Sequence, residues 1–291
     1  MEKLKKGFYT ALGTPLLKDG GIDKESLEKE INMQIDAGAS GLLLMGSMGM
    51  EASVPDNAYA EAVYVASAAV GGRVPLFVGA MDNSAQRVIE RIERVKDCPF
   101  TAAVVTTPFY FANCEAVHCN FFEMIADKSD KPIFLYDLPG VTKCKITFDM
   151  VKRLAKHENI KGIKSGDMAL GRLIKQNIPE FEVLYSNIDC FDAALSFGLD
   201  KVLDGMFSST PKNAEKFIKS AQSGDMDKCA KYLNNILLLR DTYAKHGVMQ
   251  GFTVSMNLLG MEGNFAPDYF GKCSSEGAAE IEKIMREIGE L

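Results

Sequence analysis

Phe8-Tyr-Thr-Ala-Leu-Gly-Thr-Pro-Leu16 and Gly41-Leu-Leu-Leu-Met-Gly46 are two β-rich runs, and the stretch between them, Asp23 to Ala37, spaces Leu27, Ile31 and Ile35 four apart. That spacing lines one helix face with apolar side chains, and Asp23 or a neighbour supplies the cap. Strand, helix and strand in this order make a βαβ unit. Further β-rich runs cover Pro75 to Ala80, Ala102 to Thr107, Pro132 to Leu138, Ile160 to Lys164, Glu182 to Ser186 and Lys201 to Phe207, with helical patterns between them. Ser84 to Val95 repeats the amphipathic arrangement with Val88, Ile89, Ile92 and Val95, while Arg87, Glu90, Arg91, Glu93 and Arg94 read as a solvated face. Eight βα units in a chain of 291 residues predict an α/β fold, the (β/α)8 barrel, whose usual size is ~250 residues. Asp225 to His246, Gly251 to Leu259 and Ser275 to Ile288 read as three more helices, so residues 1–224 are expected to form the barrel and residues 225–291 a C-terminal helical extension. The competing doubly wound sheet is disfavoured because no Gly-x-Gly-x-x-Gly follows a strand; Gly38, Gly41, Gly46 and Gly49 are spaced for turns.

Composition narrows the class. With 47% hydrophobic and 25% charged residues the chain can bury a large core as an ordinary globular protein. A net charge of −6, a pI near 5.3 and no dense basic patch argue against nucleic acid or an anionic membrane as partner. The start, Lys3-Leu4-Lys5-Lys6 running into Gly7-Phe8-Tyr9-Thr10, is too short and polar-interrupted for a signal-peptide core, and no later run is long enough to span a bilayer, so a cytoplasmic location is expected. The seven cysteines, at 98, 114, 119, 144, 190, 229 and 273, are odd in number and form no Cys-x-x-Cys pair, which fits reduced thiols. Only His118, His157 and His246 can serve as imidazoles, each in a helix-like or helix-end stretch. A histidine-rich metal site and a Ser-His-Asp triad are disfavoured, although carboxylates alone can hold magnesium.

In such a barrel the active site forms where the strands end in the loops that follow. The strand ends supply Thr14, then Ser47 and Met48, Thr107 with Tyr110 beyond it, Tyr136 and Asp137, Lys164, Ser186, Asn187 and Asp189, and finally Ser208 and Ser209. Lys164 lies in Lys161-Gly-Ile-Lys-Ser-Gly166, inside a short apolar run. Either it ends a strand and points to solvent, or it is buried. Burial drives a lysine amine toward its neutral form, by up to ~3–5 pKa units when complete, and a neutral amine attacks carbonyl carbon. Lys161, three residues earlier at the strand entrance, belongs to the bottom of the barrel and reads as structural. A phenol such as Tyr136 can hand protons along if a hydroxyl such as Ser47 holds it. Backbone N–H groups around Gly46 to Gly49, where a strand turns into a helix, can hold a carboxylate. Each residue also has a plain reading: Tyr136 as a rim aromatic, Ser47 as a helix cap, Tyr110 as a packing residue.

Gly13-Thr14-Pro15, Gly46-Ser47-Met48-Gly49, Thr107-Pro108-Phe109-Tyr110, Tyr136-Asp137-Leu138-Pro139-Gly140 and Gly162-Ile163-Lys164 follow one another along nearly the whole chain. In order and spacing they resemble the dihydrodipicolinate synthase and N-acetylneuraminate lyase superfamily of class I pyruvate aldolases. The resemblance implies a (β/α)8 barrel with C-terminal helices and an imine between Lys164 and pyruvate or a related 2-keto acid. By the same resemblance Tyr136 is the proton shuttle and Ser47 the hydroxyl that relays protons and helps bind the keto-acid carboxylate. Tyr110 matches a tyrosine that in some members crosses a dimer interface to complete the relay. Gly46, Met48, Thr14, Asp189 and Ser208 complete the expected substrate-binding set. No metal and no cofactor beyond the covalent imine is implied. The expected partners are the small-molecule keto acid and further copies of the chain, as a tetramer or dimer, with the Phe109, Tyr110, Phe111 cluster either forming a subunit contact or lining the local core.

Departures from the family pattern bear on substrate. Met48 stands where a second threonine is usual, Met50 where a glutamate is usual with Glu51 one step later, and Asp137 where an asparagine is usual. An unshifted strand-two loop would therefore lack a structural carboxylate. Val141 occupies the position of the arginine that grips the aldehyde carboxylate in dihydrodipicolinate synthases, and valine offers no compensating charge. Sialic acid lyases also lack that arginine, carry Gly-Ser at the position of Gly46-Ser47, and use an aspartate that aligns with Asp189 on the sugar chain. Against that branch, the chain has only Lys164-Ser165-Gly166-Asp167 where the lyases have a longer stretch, and Cys190 stands where they place a glutamate. The reading is an aldolase or lyase closer to the sugar-acid branch than to the lysine branch. Alternatives are dihydrodipicolinate synthase itself, a deoxy-keto-sugar-acid dehydratase using the same lysine, a metal-dependent class II aldolase, and a catalytically weakened barrel that binds a metabolite.

Overall fold

A computed structural model describes residues 1–291 and contains eight strands: β1 (Gly7–Ala11), β2 (Gly41–Leu44), β3 (Leu76–Gly79), β4 (Ala102–Thr106), β5 (Ile133–Asp137), β6 (Ile160–Ser165), β7 (Glu182–Tyr185) and β8 (Lys201–Asp204). They pair in chain order, all parallel, and β8 closes on β1. Helices cover the outside, as the (β/α)8 barrel requires.

Alternation along each strand sorts the core into two shells. Tyr9, Leu43, Phe77, Phe134, Leu184 and Leu203 point inward and fill the barrel, Phe77 meeting Tyr9 and Phe134 edge to face at 6.3 and 5.1 Å between ring centres. Their neighbours point outward and pack beneath the helices in a second, larger apolar shell.

Two strands stop well short of the end that the apolar pattern suggests. β1 stops at Ala11, five residues before Leu16, because the Gly13 N–H turns to the buried Glu30 carboxylate at 2.9 Å instead of continuing the ladder. β8 stops at Asp204, where the following Gly205 leads into a buried helical turn, Met206–Ser209. Phe207 looks like strand because it is apolar, but it packs against Phe8 and Phe191 outside the barrel.

The helix Lys24–Asp36 is capped by Asp23, whose carboxylate accepts the Ser26 N–H, and Ala85–Arg94 by Ser84, which accepts the Arg87 N–H. Pro211–Ser223 completes the eighth unit, and Met226–His246, Val248–Leu258 and Ser275–Glu287 follow it as the C-terminal extension. Glu290 reaches back and accepts the N–H groups of Lys212 and Asn213, placing a carboxylate at the positive end of Pro211–Ser223. No helix is long and apolar enough to cross a membrane.

Candidate active site

The pairing of β5 with β6 sets Tyr136 opposite Lys164 and Asp137 opposite Ser165. Alternation then turns the first pair into the barrel mouth and the second toward the helices. Lys164 is 4% exposed and rests above the inner shell. Its Nζ donates to Tyr136 Oη at 3.0 Å and lies 4.1 Å from the centre of the tyrosine ring. Ser47 Oγ is 3.2 Å from the same phenol oxygen. An amine, a phenol and a rim hydroxyl thus form one chain through which a proton can pass between the mouth and solvent.

The loop after β2 is held in a tight, unusual path. Met45 and Met50 adopt φ of 54° and 53°, the left-handed region that side chains seldom occupy. A side chain at Gly79 would collide with the Met45 carbonyl, so a glycine there lets the loop close over β3. Thr14 donates to the Gly49 carbonyl at 2.7 Å and pins the loop from β1. The N–H groups of Ser47 and Met48 find no acceptor in the protein, while the Gly46 carbonyl accepts the Glu51 N–H at 3.5 Å. The left-handed turn at Met50 absorbs the extra residue before Glu51, whose fully buried carboxylate accepts from Arg91 at 2.5 Å and from the Met81 N–H at 3.2 Å. The carboxylate that an unshifted loop would lack is therefore present, one position later.

On the far side of Tyr136 opens a cavity of about 500 Å³, bordered by Leu138, Lys145, Asp167, Asn187 and Asp204. Asp137 is buried, but Ser165 Oγ and the Ile146 N–H donate to it at 2.7 and 3.0 Å and Lys145 pairs with it. Lys145 also reaches Asp167 at 3.3 Å. Partial burial pushes the Asp167 carboxyl up, but the Leu170 N–H and Lys145 outweigh it and hold it below the ordinary range. The charge introduced at Asp137 is thus answered locally.

Several residues expected at the mouth have other work. Thr14 is buried with its hydroxyl committed to the loop. Ser208 is buried because β8 ends early; its hydroxyl donates to Glu30 at 2.7 Å instead of facing the cavity. Both belong to the scaffold behind the site and correct the expectation that they touch substrate. Met48 extends over Gly205, where any side chain would meet its thioether, and packs on the inner shell. Asp189 pairs with Arg240 of the helix Met226–His246 at 2.6 Å. Tyr110 is 77% exposed, stacks edge-on against Phe111 and makes no hydrogen bond through its hydroxyl; within one chain it stands apart from the Ser47, Tyr136 and Lys164 relay. Lys145 and Asp204 lie outside the residues that the strand ends predict. The Asp204-Gly205 pair was a readable sign of a strand end, masked by the apolar residues after it.

A family model, the dihydrodipicolinate synthetase family, matches residues 4–288. A 4-hydroxy-tetrahydrodipicolinate synthase of Kosmotoga olearia is 31% identical over 229 residues, covering 77% of this chain and 78% of that protein. Among solved structures, a prophage protein of the dihydrodipicolinic acid synthase family from E. coli K12, in complex with pyruvate, is 25% identical with a TM-score of 0.90, covering 98% of this chain and 99% of that one. A Clostridium difficile protein, CdNal, in complex with mannosamine, shares the fold at a TM-score of 0.90 and 19% identity over 97% of this chain and 99% of its own.

Proposed function

The chain belongs to the dihydrodipicolinate synthetase family and is a carbon–carbon lyase of the class I aldolase type, and from that premise we propose that Lys164 forms an imine with pyruvate or a related 2-keto acid. The observation that carries this reading is the buried Lys164 amine within 3.0 Å of the Tyr136 phenol, itself 3.2 Å from Ser47. Nζ attacks the keto carbon; a proton passes through Tyr136 to the departing oxygen, which leaves as water. The unengaged N–H groups of Ser47 and Met48 hold the carboxylate of the keto acid. The resulting enamine adds to an aldehyde, or in reverse is released by carbon–carbon cleavage, with Tyr136 moving the proton of the hydroxyl involved.

For the second substrate the reading favours the sugar-acid branch over the synthase reaction named for the relatives. Val141 is exposed and uncharged, and Lys145, the cation bordering the cavity, is already paired with two carboxylates. A second copy of the chain, in a dimer or tetramer, would give Tyr110 and Phe111 a partner surface.

The test is to incubate the protein with pyruvate, reduce with borohydride, and locate the adduct by peptide mass spectrometry, with Lys164→Ala as control. A pyruvyl adduct confined to Lys164 is expected. A folded protein that gives no adduct with pyruvate or other 2-keto acids would overturn the reading.

A further inference from the structure

Asp204 ends β8 at the cavity. Its Oδ1 accepts the Met206 N–H at 2.8 Å, while Oδ2 receives no hydrogen bond from the protein. The other carboxylates nearby are occupied: Asp137 by Ser165, Ile146 and Lys145, Asp167 by Lys145 and the Leu170 N–H, Asp189 by Arg240. Tyr136, which accepts from Lys164, borders the same cavity as Asp204, so the acid stands across the mouth from the amine. Burial outweighs the Met206 N–H and the charges of Lys164 and Arg240 and holds the Asp204 carboxyl above the ordinary carboxylate range.

A carboxylate oxygen only accepts hydrogen bonds, so the ligand group that satisfies it is a donor such as a hydroxyl. A second anion placed beside it, in a half-buried pocket that screens charge poorly, is repelled. The residues bordering the cavity itself bring three carboxylates, Asp137, Asp167 and Asp204, and one ammonium, Lys145, with Lys164 behind Tyr136. We propose that Asp204 selects the acceptor half of the substrate, its Oδ2 taking a hydroxyl of a neutral polyhydroxylated aldehyde and its charge disfavouring aldehydes that bear a carboxylate or phosphate. This rests on the imine reading and names a residue for its second substrate.

The experiment compares wild type, Asp204→Asn and Asp204→Ala in pyruvate condensation with three aldehydes: glyceraldehyde, propanal and glyceraldehyde 3-phosphate. Borohydride trapping at Lys164 is run on each protein. Loss of one buried hydrogen bond to a charged group predicts a fall of about tenfold or more in kcat/KM for glyceraldehyde in Asp204→Ala, with propanal changed less than about threefold. Asp204→Asn keeps the bond to Met206 and removes the charge, so the preference for the phosphorylated aldehyde over glyceraldehyde rises about tenfold. Should Asp204→Ala fail to fold, the Asn variant still reads the charge. Adducts in all proteins with equal changes for the three aldehydes would overturn this proposal alone. No adduct in the wild type would overturn the imine reading and this proposal with it.

Discussion

At the residue scale the proposed chemistry rests on three side chains that play unequal parts. Lys164→Ala removes the nucleophile, so condensation activity is expected to fall by at least about 10³ and the borohydride adduct to vanish. Tyr136→Phe keeps the ring under the lysine but cuts the relay, for a loss of about 10²–10³ in kcat. Ser47→Ala leaves the bond between Tyr136 and Lys164 intact and is expected to cost only about tenfold, read as a slower rate of adduct formation. An equal loss for all three would mean that the hydroxyls act through folding and not through proton transfer. The residue types and their strand-end positions were legible in the sequence here, because a lysine, a tyrosine and a serine at the same end of parallel strands share one mouth. The commitments of Thr14 and Ser208 were not, since a hydroxyl looks the same in sequence whether it is free or donating to Gly49 or Glu30.

Among the elements, the loop after β2 carries most of the strain. Met50 sits at φ 53°, so Met50→Gly is expected to stabilise the protein by about 1 kcal/mol, measured by urea unfolding; a destabilised variant would show that the methionine packing outweighs the backbone. Glu51 anchors the same loop through Arg91, with its side chain wholly out of water. Removing Glu51 leaves the buried Met81 N–H without its acceptor and takes one of the partners of Arg91, which keeps Asp56, so Glu51→Ala is expected to destabilise by about 1–3 kcal/mol. The double variant with Arg91→Ala should lose less than the sum of the two single changes; strict additivity would show that the pair is not coupled. The sequence placed Met50 and Glu51 off the family pattern, but only the left-handed turn explains why the shift leaves the carboxylate where it can reach Arg91. The end of β8 gives the same lesson from the other side. Met206 and Phe207 prolong an apolar run that hides the strand's end at Asp204, so the sequence pattern overshoots the rim by three residues, to Phe207.

The whole molecule ties its first and eighth units together through one buried acid. Glu30 accepts from Gly13 N–H and Ser208, yet its second oxygen has no partner, and burial pushes its carboxyl up to about 7. A raised carboxyl binds its proton more tightly in the folded state, so its stabilising effect is complete below the unfolded value near 4.5 and is lost as pH rises through about 7. The wild type should therefore lose more stability than Glu30→Gln between pH 5 and pH 8, by roughly 3 kcal/mol, in urea unfolding at the two pH values. Equal losses would place the pH dependence elsewhere. The number and order of the βα units, the apolar helix faces and the helix caps at Asp23 and Ser84 were determined by the sequence alone, because each rests on local periodicity and on side chains a few residues apart. Tertiary structure alone decided which atoms meet: that register brings Tyr136 to Lys164, that Asp137 finds Lys145, that Ser208 turns away to Glu30, and that Asp204 keeps an oxygen toward the cavity. Those outcomes depend on distances between strands far apart in the chain, which barrel closure fixes and local residue pattern does not encode.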